Sequence, residues 1–158
     1  MNMMTASLNY LSARQRSEKT VRTYLEEEFG NTKKIHPQIS ALLEQLKAER
    51  LIDDARLAKT LASHYTHKGN RFIAELLKDN GIPEQIISDT LSQLESEVIR
   101  ALKELTNRLG GFWDNSEATI SFAYRFLNGR RYSHLTARIV VNELSSLNLI
   151  SSPQKRVA

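Results

Sequence analysis

The stretch Leu46-Lys47-Ala48-Glu49-Arg50-Leu51-Ile52-Asp53-Asp54 decides how this chain is read. It closes a stripe of Ile39, Leu42, Leu43 and Leu46, spaced i, i+3, i+4, i+7. That spacing puts four apolar side chains on one face of a helix. The stretch ends in two aspartates, which suit the start of a following helix because their carboxylates accept hydrogen bonds from its free amides. The same frame of Leu, four residues, Leu-Ile and two capping residues returns at Leu144-Ser145-Ser146-Leu147-Asn148-Leu149-Ile150-Ser151-Ser152.

Working outward, the i, i+3, i+4, i+7 spacing recurs at Ile87, Thr90, Leu91, Leu94 and at Ala137, Val140, Val141, Leu144. Leu25, Leu77 and Leu127 recur at intervals of about 50 residues, the sequence signature of repeated helical units. Each is followed by a glycine stop, at Gly30, Gly81 and Gly129. No stretch of strand length alternates with a period of two. The pattern predicts nine helices, over residues 5–15, 17–29, 36–50, 53–68, 71–80, 83–94, 95–109, 116–128 and 133–147, with the sixth and seventh able to run on as one rod. The fold class is all-α. The expected architecture is an elongated, curved array of three tandem three-helix repeats, 1–52, 53–94 and 95–150, with 151–158 a frayed tail; stacked units of this kind complete one another's cores. A compact bundle with coincident leucine spacing is the alternative.

Composition narrows the function. The 158 residues carry 22 Lys+Arg and 18 Asp+Glu, a net charge of +4. A mildly basic surface suits nucleic acid or an acidic protein surface. There is no cysteine, which excludes disulfides, thiolate metal sites and a cysteine nucleophile. The first residues lack the basic segment and apolar core of a signal peptide, and no apolar run approaches a membrane span, so a cytoplasmic protein without membrane association is expected.

Few residues invite catalysis. His64 and His67 are spaced to share a predicted helix face but have no neighbouring carboxylate to complete a metal site. His36 and His134 stand near helix starts without visible partners. Asp53-Asp54 reads as a cap rather than as an acid–base pair. Gly110-Gly111 lacks the Lys-Ser/Thr of a phosphate-binding loop. No enzyme, cofactor or metal is expected. The basic residues are uneven, with Arg14, Arg16, Lys19 and Arg22 in one cluster, Lys68 and Arg71 in a second, and Arg125, Arg130, Arg131 and Arg138 in a third. Tyr10, Tyr65, Phe72 and Tyr132 lie close to these clusters, as anchors or as core.

Residues 6–18, Ala-Ser-Leu-Asn-Tyr-Leu-Ser-Ala-Arg-Gln-Arg-Ser-Glu, resemble the opening of the RecX family. Leu51-Ile52-Asp53-Asp54-Ala55-Arg56-Leu57-Ala58 is similar to that family's Asp-Asp signature, with Leu57 in place of an aromatic. Lys68-Gly69, Asn80-Gly81-Ile82, and Arg125-Phe126-Leu127 with Arg130-Arg131-Tyr132 are similar to its later landmarks. The chain departs from the family after Lys68-Gly69, where a Gly-Tyr-Gly-like stretch is replaced by Asn70-Arg71-Phe72, and at its terminal Arg-Gly-Phe, replaced by Arg130-Arg131-Tyr132. The resemblance implies three tandem three-helix repeats and a regulator of the RecA recombinase in DNA repair, homologous recombination and the SOS response. Such a protein binds in the helical groove of the RecA–DNA filament and inhibits strand exchange, ATP hydrolysis and co-protease activity. Arg14, Arg16, Arg22, Lys68, Arg71, Arg125, Arg130 and Arg138 are the expected recombinase and DNA contacts, from a monomer with weak affinity for DNA alone. Two alternatives stay open: an autonomous helical DNA-binding protein, and a protein adaptor whose basic clusters are merely solvated.

Overall fold

A computed structural model describes residues 1–157, with side chains described as far as Leu147. The described residues form nine helices and no strand: α1 (Met3–Ser12), α2 (Glu18–Phe29), α3 (His36–Ala48), α4 (Asp54–Ser63), α5 (Asn70–Asp79), α6 (Glu84–Gln93), α7 (Glu97–Leu109), α8 (Glu117–Gly129) and α9 (His134–Val157). The all-α expectation holds, with ends displaced by a few residues.

Helix starts follow side-chain chemistry. Asn2, Ser17, Asp53, Ser96 and Ser116 each accept an amide hydrogen bond from three residues on, so one otherwise orphaned donor is satisfied at each start. Ser96 also settles the sixth and seventh helices: they are not one rod. Ser96 is extended, with ψ 148°, and accepts from the Ile99 amide, so α7 starts anew.

Helix ends share a geometry. In the turns after α3, α5, α7 and α8 the residue at left-handed φ is Arg50 (59°), Gly81 (79°), Gly110 (62°) and Arg131 (64°). Each donates its amide to the carbonyl three residues back, and the next residue donates to the carbonyl five back. These are Schellman turns, which bond the last carbonyls of a helix. After three of them the chain buries Ile52, Ile82 or Tyr132 and enters the next helix. Gly129 departs from the expected role of helix stop. It is the last residue of α8, and Arg131 makes the reversal. Gly69 serves a close backbone approach described below. The second copy of the opening motif, residues 144–152, lies inside α9 and forms no turn. Helix α9 also includes residues 151–157 of the expected frayed tail, whose side chains, with Ala158, lie outside the described residues.

By contacts the chain forms two compact units, Met1–His64 with Leu76–Thr90, and Tyr65–Glu75 with the chain from Leu91 onward. In the first, α1, α2 and α3 pack against one another. Their core is Val21, Leu25, Leu46, Ile52 and the rest of the Ile39 stripe. Each leucine buried there contributes about 2 kcal/mol. In the second, α7, α8 and α9 pack mutually around Ala101, Leu105, Trp113, Ala123, Leu127, Tyr132, Ala137, Val140 and Val141.

Tyr132 is 1% exposed, and its hydroxyl has no hydrogen-bond partner among the described residues. Burial pushes the phenol up to about 12 from 10.0. The folded state therefore holds this proton where the unfolded chain loses it. The stability linked to the neutral phenol is complete below pH 10 and is lost as pH rises toward 12. Tyr132→Phe is expected to stabilise the fold by about 1 kcal/mol at pH 7, because an unpaired buried hydroxyl is removed. It is also expected to flatten the decline between pH 10 and 12. Urea denaturation at pH 7 and across that window checks both.

Candidate basic interface

In the first unit, Arg16 lies in the linker between α1 and α2. Its Nε donates to the Tyr10 carbonyl at 3.1 Å, and its guanidinium sits 3.8 Å from the Tyr10 ring centroid. Tyr10 stacks in turn on Tyr24, with centroids 4.0 Å apart and planes within 5°. A cation on an aromatic face contributes about 0.5–2 kcal/mol, so Arg16 fastens α1 to α2. Arg22 pairs with Glu18 at 3.8 Å and donates to Ser40 Oγ at 3.3 Å. Arg14 is exposed and has no hydrogen bond or ion pair among the described residues. The Asp-Asp pair acts as caps. Asp53 caps its own helix, while Asp54 accepts from the Glu18 amide at 2.9 Å and so caps α2. Burial raises the Asp54 carboxyl above its ordinary range, although the Glu18 amide opposes the shift.

In the second unit the turn over residues 65–69 is the centre of the basic region. Helix α4 stops at Ser63, so His64 and His67 do not share a helix as expected; His67 lies in the turn. No group of three or more His, Cys, Asp or Glu among the described residues is placed to hold a metal. Under the turn lies Arg100, 4% exposed. Its Nε donates to the Glu95 carbonyl at 2.8 Å. Its Nη1 donates to the Lys68 carbonyl at 2.6 Å and the Thr66 carbonyl at 3.4 Å, and its Nη2 donates to Asn70 Oδ1. A buried cation tolerates its loss of water only when its donors are bonded; here main-chain carbonyls and an amide oxygen bond them.

The neighbouring Glu97 carboxylate joins two helix starts. Its Oε2 accepts from the Asn70 amide at 2.6 Å, and its Oε1 accepts from Thr136 Oγ1 at 2.5 Å and the Ser133 amide at 3.3 Å. Burial pushes this carboxyl up, but the hydrogen bonds outweigh burial and hold it below its ordinary range.

Against this turn sits the corner between α8 and α9. The Gly69 amide donates to the Arg130 carbonyl at 2.7 Å. A Cβ at Gly69 would lie 2.0 Å from the Arg131 carbonyl oxygen. Arg130 Nη1 donates to Glu104 at 3.1 Å and to the His67 carbonyl at 3.3 Å, with the guanidinium 4.6 Å from the Phe126 ring. Arg131 pairs with Glu75 at 2.6 Å. Lys68 is half-buried with its Nζ 5.2 Å over Phe72. The backbone contact thus brings the second basic cluster, Lys68 and Arg71, beside Arg130 and Arg131 of the third.

The expected contact residues divide into two kinds. Arg16, Arg22 and Arg130 bond within the fold, and Lys68 lends its carbonyl to Arg100. Arg14, Arg71, Arg125 and Arg138 are exposed. Of these, Arg125 reaches only the Ser121 carbonyl of its own helix, and Arg71 and Arg138 have no partner among the described residues. Sequence reasoning missed Arg100 and Glu97. Their only signal is a charge beside the buried Ala101 and Leu105 of α7, which charge alone does not separate from the solvated face.

No family model matches the chain. A curated "Regulatory protein RecX" from Streptococcus mutans is 34% identical over 92 residues, covering 56% of this chain and 34% of that protein. The one from Streptococcus thermophilus is 28% identical over 143 residues, covering 87% of this chain and 54% of that protein. The crystal structure of RecX from Lactobacillus salivarius superposes with a TM-score of 0.71 at 23% identity, over 90% of this chain and 94% of that one. The chain is similar in sequence to proteins named Regulatory protein RecX. A second RecX crystal structure superposes with a TM-score of 0.63 at 22% identity, over 89% of this chain and 70% of that one, so the chain shares the RecX fold. It spans between a third and just over half of the length of the curated RecX proteins it matches. No helix among the described residues is long and apolar enough to cross a membrane.

Two substitutions test the corner. Arg100→Met removes the buried guanidinium and leaves its carbonyl partners unpaired, with an expected loss of about 3 kcal/mol. Gly69→Ala drives a methyl into the Arg131 carbonyl, with an expected loss of about 2–3 kcal/mol. Urea denaturation of both variants measures these losses.

Proposed function

We propose that this protein is a non-enzymatic regulator that binds the RecA–DNA filament in its helical groove and inhibits strand exchange, ATP hydrolysis and co-protease activity. One observation carries the reading: Lys68–Arg71 and Arg130–Arg131, far apart in sequence, meet at one corner above a buried guanidinium. The relation to proteins named for regulation supports it. In this reading a cytoplasmic monomer presents three helical triplets, 1–52, 53–94 and 95–150, to successive protomers of the filament. Contacts that are weak singly then add through effective concentration. Exposed arginines supply attraction and speed encounter. Arg14, Arg71, Arg125 and Arg138 are the contacts, and Arg16, Arg22, Lys68 and Arg130 hold the surfaces that present them.

The test is ATP hydrolysis by a RecA filament on single-stranded DNA, titrated with the protein. Inhibition well below one chain per protomer is the expected result. Arg71→Glu and Arg138→Glu are each expected to weaken inhibition by about fivefold, the equivalent of about 1 kcal/mol, with Tm unchanged. Arg130→Glu is expected to lower Tm as well, because it breaks the bonds to Glu104 and His67. Tight binding to naked DNA with a steep salt dependence, and no effect on the filament, would instead identify an autonomous DNA-binding protein.

A further inference from the structure

Two of the four Schellman turns carry arginine rather than glycine at the left-handed residue. A side chain is disfavoured there because its Cβ crowds the following carbonyl. Glycine is needed at Gly81 on two counts, since its φ is 79° and a Cβ would lie 2.5 Å from Ser17 Oγ. Arg131 has a reason to be arginine, because its guanidinium holds Glu75. Arg50 has no such partner: its side chain makes no hydrogen bond or ion pair among the described residues, and it is exposed.

Arg50 stands on the rim of an open groove of about 550 Å³ in the first unit. Ala55, Pro83 and Ile86 give this groove its apolar part, over the buried Ile52, and the adjoining Leu51 is 43% exposed. The other rim charges are already engaged. Lys47 pairs with Glu44 at 2.7 Å and Glu18 at 3.3 Å. Glu18 also pairs with Arg22, Asp53 accepts from the Arg56 amide, and Asp54 accepts from the Glu18 amide. Among the described rim residues, Arg50 is the charge left for a partner.

We propose that this groove docks a short protein segment that places an apolar side chain on Ala55, Pro83 and Ile86 and a carboxylate on Arg50, as Glu75 does on Arg131. The occupant is protein rather than nucleic acid, because exposed apolar Leu51, Ala55 and Pro83 stand beside Arg50, whereas a phosphate backbone asks for several free cations and Lys47 is already paired. The inference rests on the filament reading for the partner's identity, which makes the segment part of a recombinase protomer.

Arg50→Gly separates recognition from folding, since glycine keeps the left-handed turn and removes only the side chain. The expected result is a Tm equal to or above that of the original chain, a loss of at least about tenfold in affinity for the RecA–single-stranded DNA filament, and unchanged affinity for naked single-stranded DNA. Arg50→Asn, which also tolerates the turn, is expected to behave alike. A lower Tm for both variants assigns Arg50 to the fold and overturns the proposal. Filament binding equal to the original chain's overturns it while leaving the filament reading intact. An equal loss on naked DNA overturns the protein assignment. An original chain that does not bind the filament at all overturns the filament reading, and the recombinase segment with it.

Discussion

A guanidinium buried among main-chain carbonyls organises the second unit. Arg100 has lost nearly all its water, and an isolated charge in that position would be prohibitive. It is tolerated because its donors reach the carbonyls of Glu95, Thr66 and Lys68 and the side chain of Asn70. Those bonds hold an irregular turn that has no ladder of its own. The turn then offers Gly69 to the next corner, where the absence of a Cβ lets two backbones meet. Arg130 completes the joint through the His67 carbonyl and Glu104. One buried cation thus fixes the turn that carries Lys68 and leads into Arg71.

The helix corners show a second economy. A Schellman turn bonds the carbonyls a helix leaves free, and the chain then buries one large side chain before the next cap. Such corners are short and sit at the surface, where recognition residues concentrate on a rigid support. Glycine makes the reversal at no steric cost, as at Gly81 and Gly110. Arginine makes it at Arg50 and Arg131 against its own preference. A backbone held in a disfavoured region invites the question of what the side chain does there. At Arg131 the answer is an ion pair inside the fold; at Arg50 the fold supplies none.

Much of the helical framework was legible. The Ile39 stripe and the Ala137, Val140, Val141 positions are buried as their spacing requires. Asp53 caps α4, and Gly30 and Gly81 end helices. These features depend on neighbours within about one turn of the chain, so local sequence contains them. The errors have two origins. The turn that separates His64 from His67 and the reversal at Arg131 rather than Gly129 lie where tertiary bonds compete with a continuing helical pattern, whereas the break at Ser96 is made by a local cap. The echo at residues 144–152 kept the letters of the first motif without its turn.

The sequence by itself determined an all-helical chain, the face each main stripe buries and most helix ends, because periodicity and capping act over three or four residues. It also located the basic clusters along the chain. Only the tertiary structure decided which basic residues are fasteners and which face solvent. An arginine's role depends on what the fold brings to its five donors. The carbonyls under Arg100, the glutamate on Arg131 and the open groove beside Arg50 come from segments that only packing makes neighbours.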